Sequence, residues 1–116
     1  MTRFERVKQI LDDAIGGESI GAHGAFWRPL DLPAFKLKAV FGRVLVVPGD
    51  GQHSNLVLAL RGQAPFSADS GDPDGVHRRM PAGRAPVPEE RIAFISQWID
   101  DGCPDDEFIE EAPSDA

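Results

Sequence analysis

The chain has 116 residues, a length that fits one domain, and its net charge is −7. Residues 104–116 hold six acidic side chains and no basic one, so residues 1–103 are almost neutral. This pattern excludes the basic face with which nucleic-acid-binding proteins displace counterions. We therefore expect no nucleic-acid partner. We also expect a domain over 1–103 followed by an acidic tail over 104–116.

The first helix is predicted at the amino terminus. Thr2 and Glu5 form a T-x-x-E capping box, and apolar residues then recur at helical spacing. These apolar positions are Phe4, Val7, Leu11, Ala14 and Ile15. Gly16 supplies the predicted stop. A second, short helix is predicted to be capped by Asp31 or a neighbouring residue and to end at Gly42.

The middle of the chain is rich in proline and glycine. We interpret "RVLVVPGDG", residues 43–51, as an extended connector rather than a strand. Ser54 is the predicted cap of a third helix that ends at Gly62 and turns Leu56, Val57 and Leu60 inward. Residues 63–87 show no periodic pattern and are predicted to be a long loop, of the kind that often carries function.

The last helix is predicted to start after Pro88 and to end at Gly102, with a broad apolar face. That face comprises Ile92, Phe94, Ile95, Trp98 and Ile99. Beyond it we expect a mostly solvated tail, in which Phe108 and Ile109 could act as a small anchor. The predicted fold class is therefore all-α, a small domain of about four short helices with long Pro/Gly-rich loops.

Three features bear on the cell compartment. No run of about 20 apolar residues could span a membrane. The amino-terminal segment mixes charges among its apolar residues, which is not the pattern of an export signal. Cys103 is the single cysteine, so no internal disulfide can form. These observations predict a cytoplasmic protein without membrane association.

Three motifs follow one another in a familiar order. They are "SIGAHG" around His23, "RMPAG" around Met80 and the closing "WIDDG" that begins at Trp98. Their order and spacing resemble a small c-type cytochrome domain. The resemblance implies a cytochrome-c-like fold over nearly the whole body, with the last helix packed across the first. It also places His23 at the proximal iron ligand and Met80 at the axial ligand.

The chain departs from that family at the attachment site. Ser19 and Ala22 stand where two cysteines would bind haem, and neither side chain can form a thioether bond. The resemblance therefore implies a domain that has lost covalent haem.

Three interpretations remain open. In the first, the protein's own aromatic side chains fill the haem space; the candidates are Phe26, Trp27, Phe35, Phe41, Phe66, Phe94 and Trp98. In the second, His23 and Met80 hold a noncovalent haem b in an electron-transfer protein. In the third, a soft metal such as copper binds among His23, His53, His77, Met80 and Cys103.

We favour the first interpretation. It predicts a non-catalytic accessory module that binds a protein partner, such as a larger redox enzyme, and that needs neither cofactor nor metal. No catalytic pattern is recognised, so no enzyme is predicted. The residues expected to organise the former site are His23, Trp27, Arg79, Met80 and Trp98.

Overall fold

The computed structural model describes residues 1–14, 27–40, 42–64, 66–68, 71, 73–77, 79–80 and 86–108. Within these ranges the chain is mostly helical with little strand, as the sequence predicts. The elements in chain order are α1 (Arg3–Ala14), α2 (Leu32–Leu37), β1 (Ala39–Val40), β2 (Arg43–Val44), a 3-10 turn (Gly51–His53), α3 (Asn55–Arg61) and α4 (Glu89–Asp100). Among the described helices, none has the length and apolar character needed to cross a bilayer.

The start of α1 confirms the predicted capping box. The Thr2 amide donates to a Glu5 carboxylate oxygen at 2.7 Å, and the Glu5 amide donates to the Thr2 hydroxyl at 3.1 Å. These bonds satisfy amides that the first turn of a helix leaves without partners. The buried face comprises Phe4, Val7, Ile10 and Leu11. The predicted stop at Gly16 lies outside the described residues.

Helix α2 begins as predicted and ends earlier than predicted. Asp31 is its N-cap, and the carboxylate accepts a hydrogen bond from the Ala34 amide at 3.0 Å. The predicted end at Gly42 is wrong, because the helix stops at Leu37 and residues 39–40 are extended.

A short hairpin replaces the rest of the predicted helix. Strand β1 pairs antiparallel with β2, with Ala39 opposite Val44. The interpretation of residues 43–51 as a connector is therefore wrong at Arg43–Val44. Gly42 adopts φ +77°, a left-handed conformation that lets the chain reverse between the strands. Pairing of β1 with β2 is favoured over continuation of α2 because it places the following Leu45 and Val46 in the core.

Helix α3 has the predicted bounds, but Ser54 acts differently from the prediction. Its hydroxyl donates to the Asp50 carbonyl at 2.9 Å and accepts from the Val47 amide at 2.8 Å, so it makes no cap bond to α3. The buried hydroxyl instead fixes the turn that precedes the helix. At the other end, Gly62 adopts φ +68° and its amide closes the last turn.

Helix α4 lies at the centre of the fold. Its buried residues are Ile92, Ile95, Trp98 and Ile99, as the apolar pattern predicts. The 3-10 turn packs closely on it: a Cβ on Gly51 would lie 2.6 Å from the Ser96 hydroxyl oxygen. The Gly51 amide also donates to the Asp100 carboxylate at 2.7 Å. Glycine is therefore required at position 51 for this approach.

Candidate functional site

Three aromatic rings meet where α1, α2 and α4 come together. The ring centroids of Phe4 and Phe35 are 5.4 Å apart, those of Phe4 and Trp98 are 5.9 Å apart, and those of Phe35 and Trp98 are 6.0 Å apart. Phe35 and Trp98 are fully buried and Phe4 is 6% exposed. We call these three residues the aromatic centre. Such spacings are those of rings in direct contact.

The polar atom of Trp98 also has a partner. Its indole N–H donates to the Pro104 carbonyl at 2.8 Å. A buried indole without a partner would lose the free energy of its hydrogen bond to water, so this contact makes full burial of Trp98 tolerable. The predicted site residue Trp98 therefore lies at the centre of the core, and its only polar edge binds the chain that follows α4.

Trp27 is fixed to the end of α1. It is 5% exposed, and its indole N–H donates to the Asp12 carboxylate at 2.7 Å. The Arg28 Nε donates to the same Asp12 oxygen at 2.9 Å. Burial raises the pKa of Asp12, but the hydrogen bonds from Arg28 and Trp27 outweigh it, so the pKa is lowered overall. Asp12 thus stays ionised and orients Trp27.

Arg79 and Met80 lie against the carboxyl end of α3. The Met80 amide donates to the Ala59 carbonyl at 2.9 Å, and the Met80 side chain packs against the core. A Cβ on Gly62 would lie 3.1 Å from both Cγ and Cδ of Arg79, so the methylenes of Arg79 cover this glycine. The loop is therefore attached to the helix at two consecutive residues.

The predicted site residues are only partly brought together. Trp27 and Trp98 belong to one core, Met80 packs against it, and Arg79 lies beside Met80. His23, with Ser19 and Ala22, lies outside the described residues, as do Phe26 and Phe41. Of the remaining predicted rings, Phe66 stacks on His77, and Phe94 packs partly buried against the core and also contacts Phe108. The aromatic centre also contains Phe4, which was not among the rings predicted to fill the haem space.

The described members of the soft-ligand set proposed for a metal occupy separate environments, and His23 lies outside the described residues. His53 binds the Asp50 carboxylate at 2.9 Å, whereas His77 accepts a hydrogen bond from Arg43 at 3.2 Å. Burial raises the pKa of the Cys103 thiol to about 11, so it is protonated at neutral pH. In the part of the chain that the structure describes, no three His, Cys, Asp or Glu side chains come together as a metal-binding group.

Sequence reasoning did not find a second cluster, at the start of α1. Residues 104–108, which we call the strap, return from α4 to the amino terminus, where Thr2 and Glu107 form an antiparallel bridge. Arg3 donates through Nε and Nη2 to the two Asp106 carboxylate oxygens at 2.8 and 2.9 Å, and through Nη1 to Asp101 at 2.7 Å. The hydrogen bonds from Arg3 lower the pKa of both carboxyl groups.

An aromatic contact completes this cluster. The Phe108 ring lies 5.4 Å from the Phe94 ring in an edge-to-face arrangement, and the Arg6 guanidinium lies 5.8 Å from the Phe108 centroid. Phe108 thus contacts the body, as the anchor alternative describes, whereas the favoured expectation of a mostly solvated tail is wrong for residues 104–108. Residues 109–116 lie outside the described ranges. The sequence signal was the opposite charge of Arg3 and Arg6 against the acidic strap.

Comparison of the chain with protein-family models, with curated proteins and with solved structures gives no match. Two described features of the chain therefore bear on its function, the aromatic centre and the contacts of the strap.

Proposed function

We propose that the chain is a non-catalytic accessory module that binds a protein partner, built on a cytochrome-c-like arrangement of helices from which haem has been lost. The partner that the resemblance implies is a larger redox enzyme. The aromatic centre carries the proposal. Phe4, Phe35 and Trp98 contact one another directly, so no porphyrin can lie between these rings.

The energetics of the centre support a structural role for these rings. Aromatic side chains bury about 150–250 Å² each, so they can replace much of the apolar contact that a cofactor would give. Trp98 is 0% exposed and hydrogen-bonded, which is how a residue that stabilises the fold is placed. Direct ring contacts of this kind support the proposed haem-free core.

The placement of the other elements is compatible with the proposed arrangement. Helix α4 packs against α1 through Trp98 and Phe4, as the last and first helices do in the family that the sequence resembles. Met80 lies against the same core from the loop after α3. These contacts support the order of elements that the resemblance implies.

The carboxyl groups with lowered pKa values have structural partners. Asp12, Asp101 and Asp106 each accept a hydrogen bond from an arginine side chain, and the Cys103 thiol is protonated at neutral pH. Ion pairs of this kind shift pKa values for structural reasons, which is compatible with the proposed non-catalytic module.

A haem titration tests the proposal. Purified chain is mixed with ferric haem and then reduced, and the visible spectrum is compared with that of His23→Ala and Met80→Ala variants. We expect the same spectrum of free haem in all three samples. A sharp Soret band in the wild-type chain that either substitution removes would contradict the haem-free module and favour the electron-transfer protein.

The partner part of the proposal needs a separate experiment. The immobilised chain is used to capture proteins from a native extract, beside a column that carries an unrelated acidic domain of similar size. We expect enrichment of a cofactor-containing oxidoreductase on the first column only. If no oxidoreductase is enriched over the control, the proposed class of partner is wrong.

A further inference from the structure

The strap is held by the kind of backbone contacts that bind a peptide. The Arg3 amide donates to the Asp106 carbonyl at 2.9 Å, and the Phe108 amide donates to the Met1 carbonyl at 2.8 Å. Between these bonds, Thr2 and Glu107 form an antiparallel bridge. An extended segment that pairs with an exposed backbone edge is a common mode of peptide recognition.

The same surface binds one acidic side chain of the strap, that of Asp106. Both carboxylate oxygens of Asp106 accept from the Arg3 guanidinium, a two-point contact that matches the planar fork of arginine. The Arg3 side chain is only 19% exposed, and Asp101 on the far side accepts from its third nitrogen. Arg3 is therefore oriented by Asp101, an exposed carboxylate at the carboxyl end of α4, as well as by Asp106 of the strap.

A ring occupies the next position on the same side. Successive side chains of an extended segment alternate, so Asp106 and Phe108 face the body. Glu107, between them, is 68% exposed, and its carboxylate accepts a hydrogen bond from the amino-terminal ammonium of Met1 at 3.0 Å. Phe108 packs between Phe94 on α4 and Arg6 on α1. The contacts thus define the sequence pattern Asp-x-Phe. The Asp binds the Arg3 guanidinium, and the Phe packs against the Phe94 ring.

One residue with an unusual backbone conformation lies at the junction between α4 and the strap. Cys103 adopts φ +55°, which non-glycine residues rarely take, whereas φ +92° at the preceding Gly102 is a conformation that glycine adopts freely. Asp105, Asp106 and Glu107 are exposed, and Phe108 is only half-buried. A segment with so little buried apolar surface opens locally at a lower free energy than the core.

We propose that Thr2, Arg3, Arg6 and Phe94 form a binding surface for an extended acidic segment of the pattern Asp-x-Phe in a protein partner. Residues 106–108 occupy this surface in the free chain and compete with the partner's segment. The inference rests on the proposed function as a protein-binding module, and it names the surface and the chemistry of the partner. A segment tethered through a short linker has a local concentration of the order of millimolar, so the strap is an effective competitor.

The test uses the full-length chain and a fluorescent peptide of sequence PDDEFIEE, that of residues 104–111. Fluorescence anisotropy compares the wild-type chain with an Asp106→Ala/Phe108→Ala variant, in which the strap is weakened. We expect the variant to bind the peptide about tenfold or more tightly than wild type. Adding Arg3→Lys to this variant keeps the positive charge but removes the two-point hydrogen bonding of the guanidinium group. We expect it to abolish the gain in affinity for the peptide. A variant that binds no better than wild type, or binding that survives Arg3→Lys, would overturn the proposal.

Hydrogen exchange tests the same point in the unchanged chain. The amides of Arg3 and Phe108 are expected to exchange through local opening, at least tenfold faster than the Cys103 amide, which donates to the Trp98 carbonyl at the base of the strap. Equal rates would mean that the strap opens only when the whole domain unfolds, which overturns the proposal. This result does not depend on the folding of any variant.

Two further outcomes separate the alternatives. A concentration-dependent dimer that Phe108→Ala abolishes would assign the external segment to a second copy and overturn the assignment to a separate partner. The haem titration is independent of the peptide assay, since haem binding contradicts the haem-free module without affecting the Arg3 surface. The two proposals can therefore fail separately.

Discussion

Helices α1 and α4 each present two faces, and the two faces use aromatic residues differently. On the inner face, Phe4 of α1 stacks on Trp98 of α4 with both rings almost or fully buried. On the outer face, Arg6 of α1 and Phe94 of α4 contact Phe108 of the strap, and all three are only partly buried. The inner contacts are apolar, whereas the outer ones are accompanied by exposed ion pairs.

The difference between the two faces indicates which contacts stabilise the domain and which are available for binding. Apolar burial contributes about 25 cal/mol per Å² removed from water, whereas exposed ion pairs contribute about 0–1 kcal/mol each. The aromatic centre should therefore determine whether the domain folds. Residues 106–108 of the strap, with exposed or half-buried side chains, should attach and detach while the domain stays folded and Pro104 stays bound to Trp98.

The largest effect is expected from Trp98→Ala. Removal of this fully buried ring should lower the free energy of unfolding by about 3–5 kcal/mol, because a large cavity forms and the bond to Pro104 is lost. Urea denaturation followed by circular dichroism measures it. Phe94→Ala on the outer face is the matched control and should cost about 1 kcal/mol or less, since Phe94 is already partly exposed. Equal losses would remove the distinction between the faces.

The thiol at the junction of the two regions should be protected. Cys103 is fully buried and burial raises its pKa to about 11, so the thiolate fraction at pH 8 is about a thousandth. We expect a thiol reagent to modify the folded chain at least about a hundredfold more slowly than the unfolded chain, where the thiol pKa is about 8.5. Absorbance of the released reagent group gives the rate. Fast labelling without denaturant would show that the junction opens with the strap.

A smaller effect is expected from Phe108→Ala. The substitution removes one half-exposed ring, so the free energy of unfolding should fall by about 1 kcal/mol or less. Chemical denaturation measures this change, and amide exchange of Arg3 should rise in the same variant. A loss comparable to that of Trp98→Ala would mean that the strap is part of the core.

Mild acid should release the strap before it affects the core. Asp101 and Asp106 have pKa values lowered below the ordinary 3.8 by hydrogen bonds from Arg3. A carboxyl group whose pKa is lower in the folded chain stabilises the folded state at a pH above its pKa in the unfolded chain. This stabilisation is lost as the pH falls through its pKa in the folded chain. NMR shifts of the Arg3 and Phe108 amides should therefore change as the pH falls below the ordinary carboxyl pKa of 3.8, before the Trp98 indole signal does.

An Arg3→Gln variant is the control for the acid experiment. Glutamine cannot form the ion pairs with Asp101 and Asp106, so the change of the Phe108 amide shift in acid should be lost or move to higher pH. A change that persists unaltered in this variant would attribute the acid effect to other groups.

Much of the fold was predictable because local signals and packing agree. The capping box of Thr2 and Glu5, the left-handed stop at Gly62 and the apolar face of α4 all appear as the sequence predicts. Prediction failed where local signals compete. Residues 39–44 could continue a helix or form a hairpin, and the burial of Leu45 and Val46 decided for the hairpin.

The features of the candidate site likewise fall into those that the sequence predicts and those that it does not. The sequence by itself determined that thioether attachment is impossible, since Ser19 and Ala22 lack thiols, and it identified Trp98 as a core residue by its helical spacing. Only the tertiary structure decided that Phe4 and Phe35 join Trp98, and that Asp106 and Phe108 bind Arg3 and Phe94. The reason is physical: chain composition fixes which bonds a residue can form, whereas partners distant in sequence are chosen by how the elements pack.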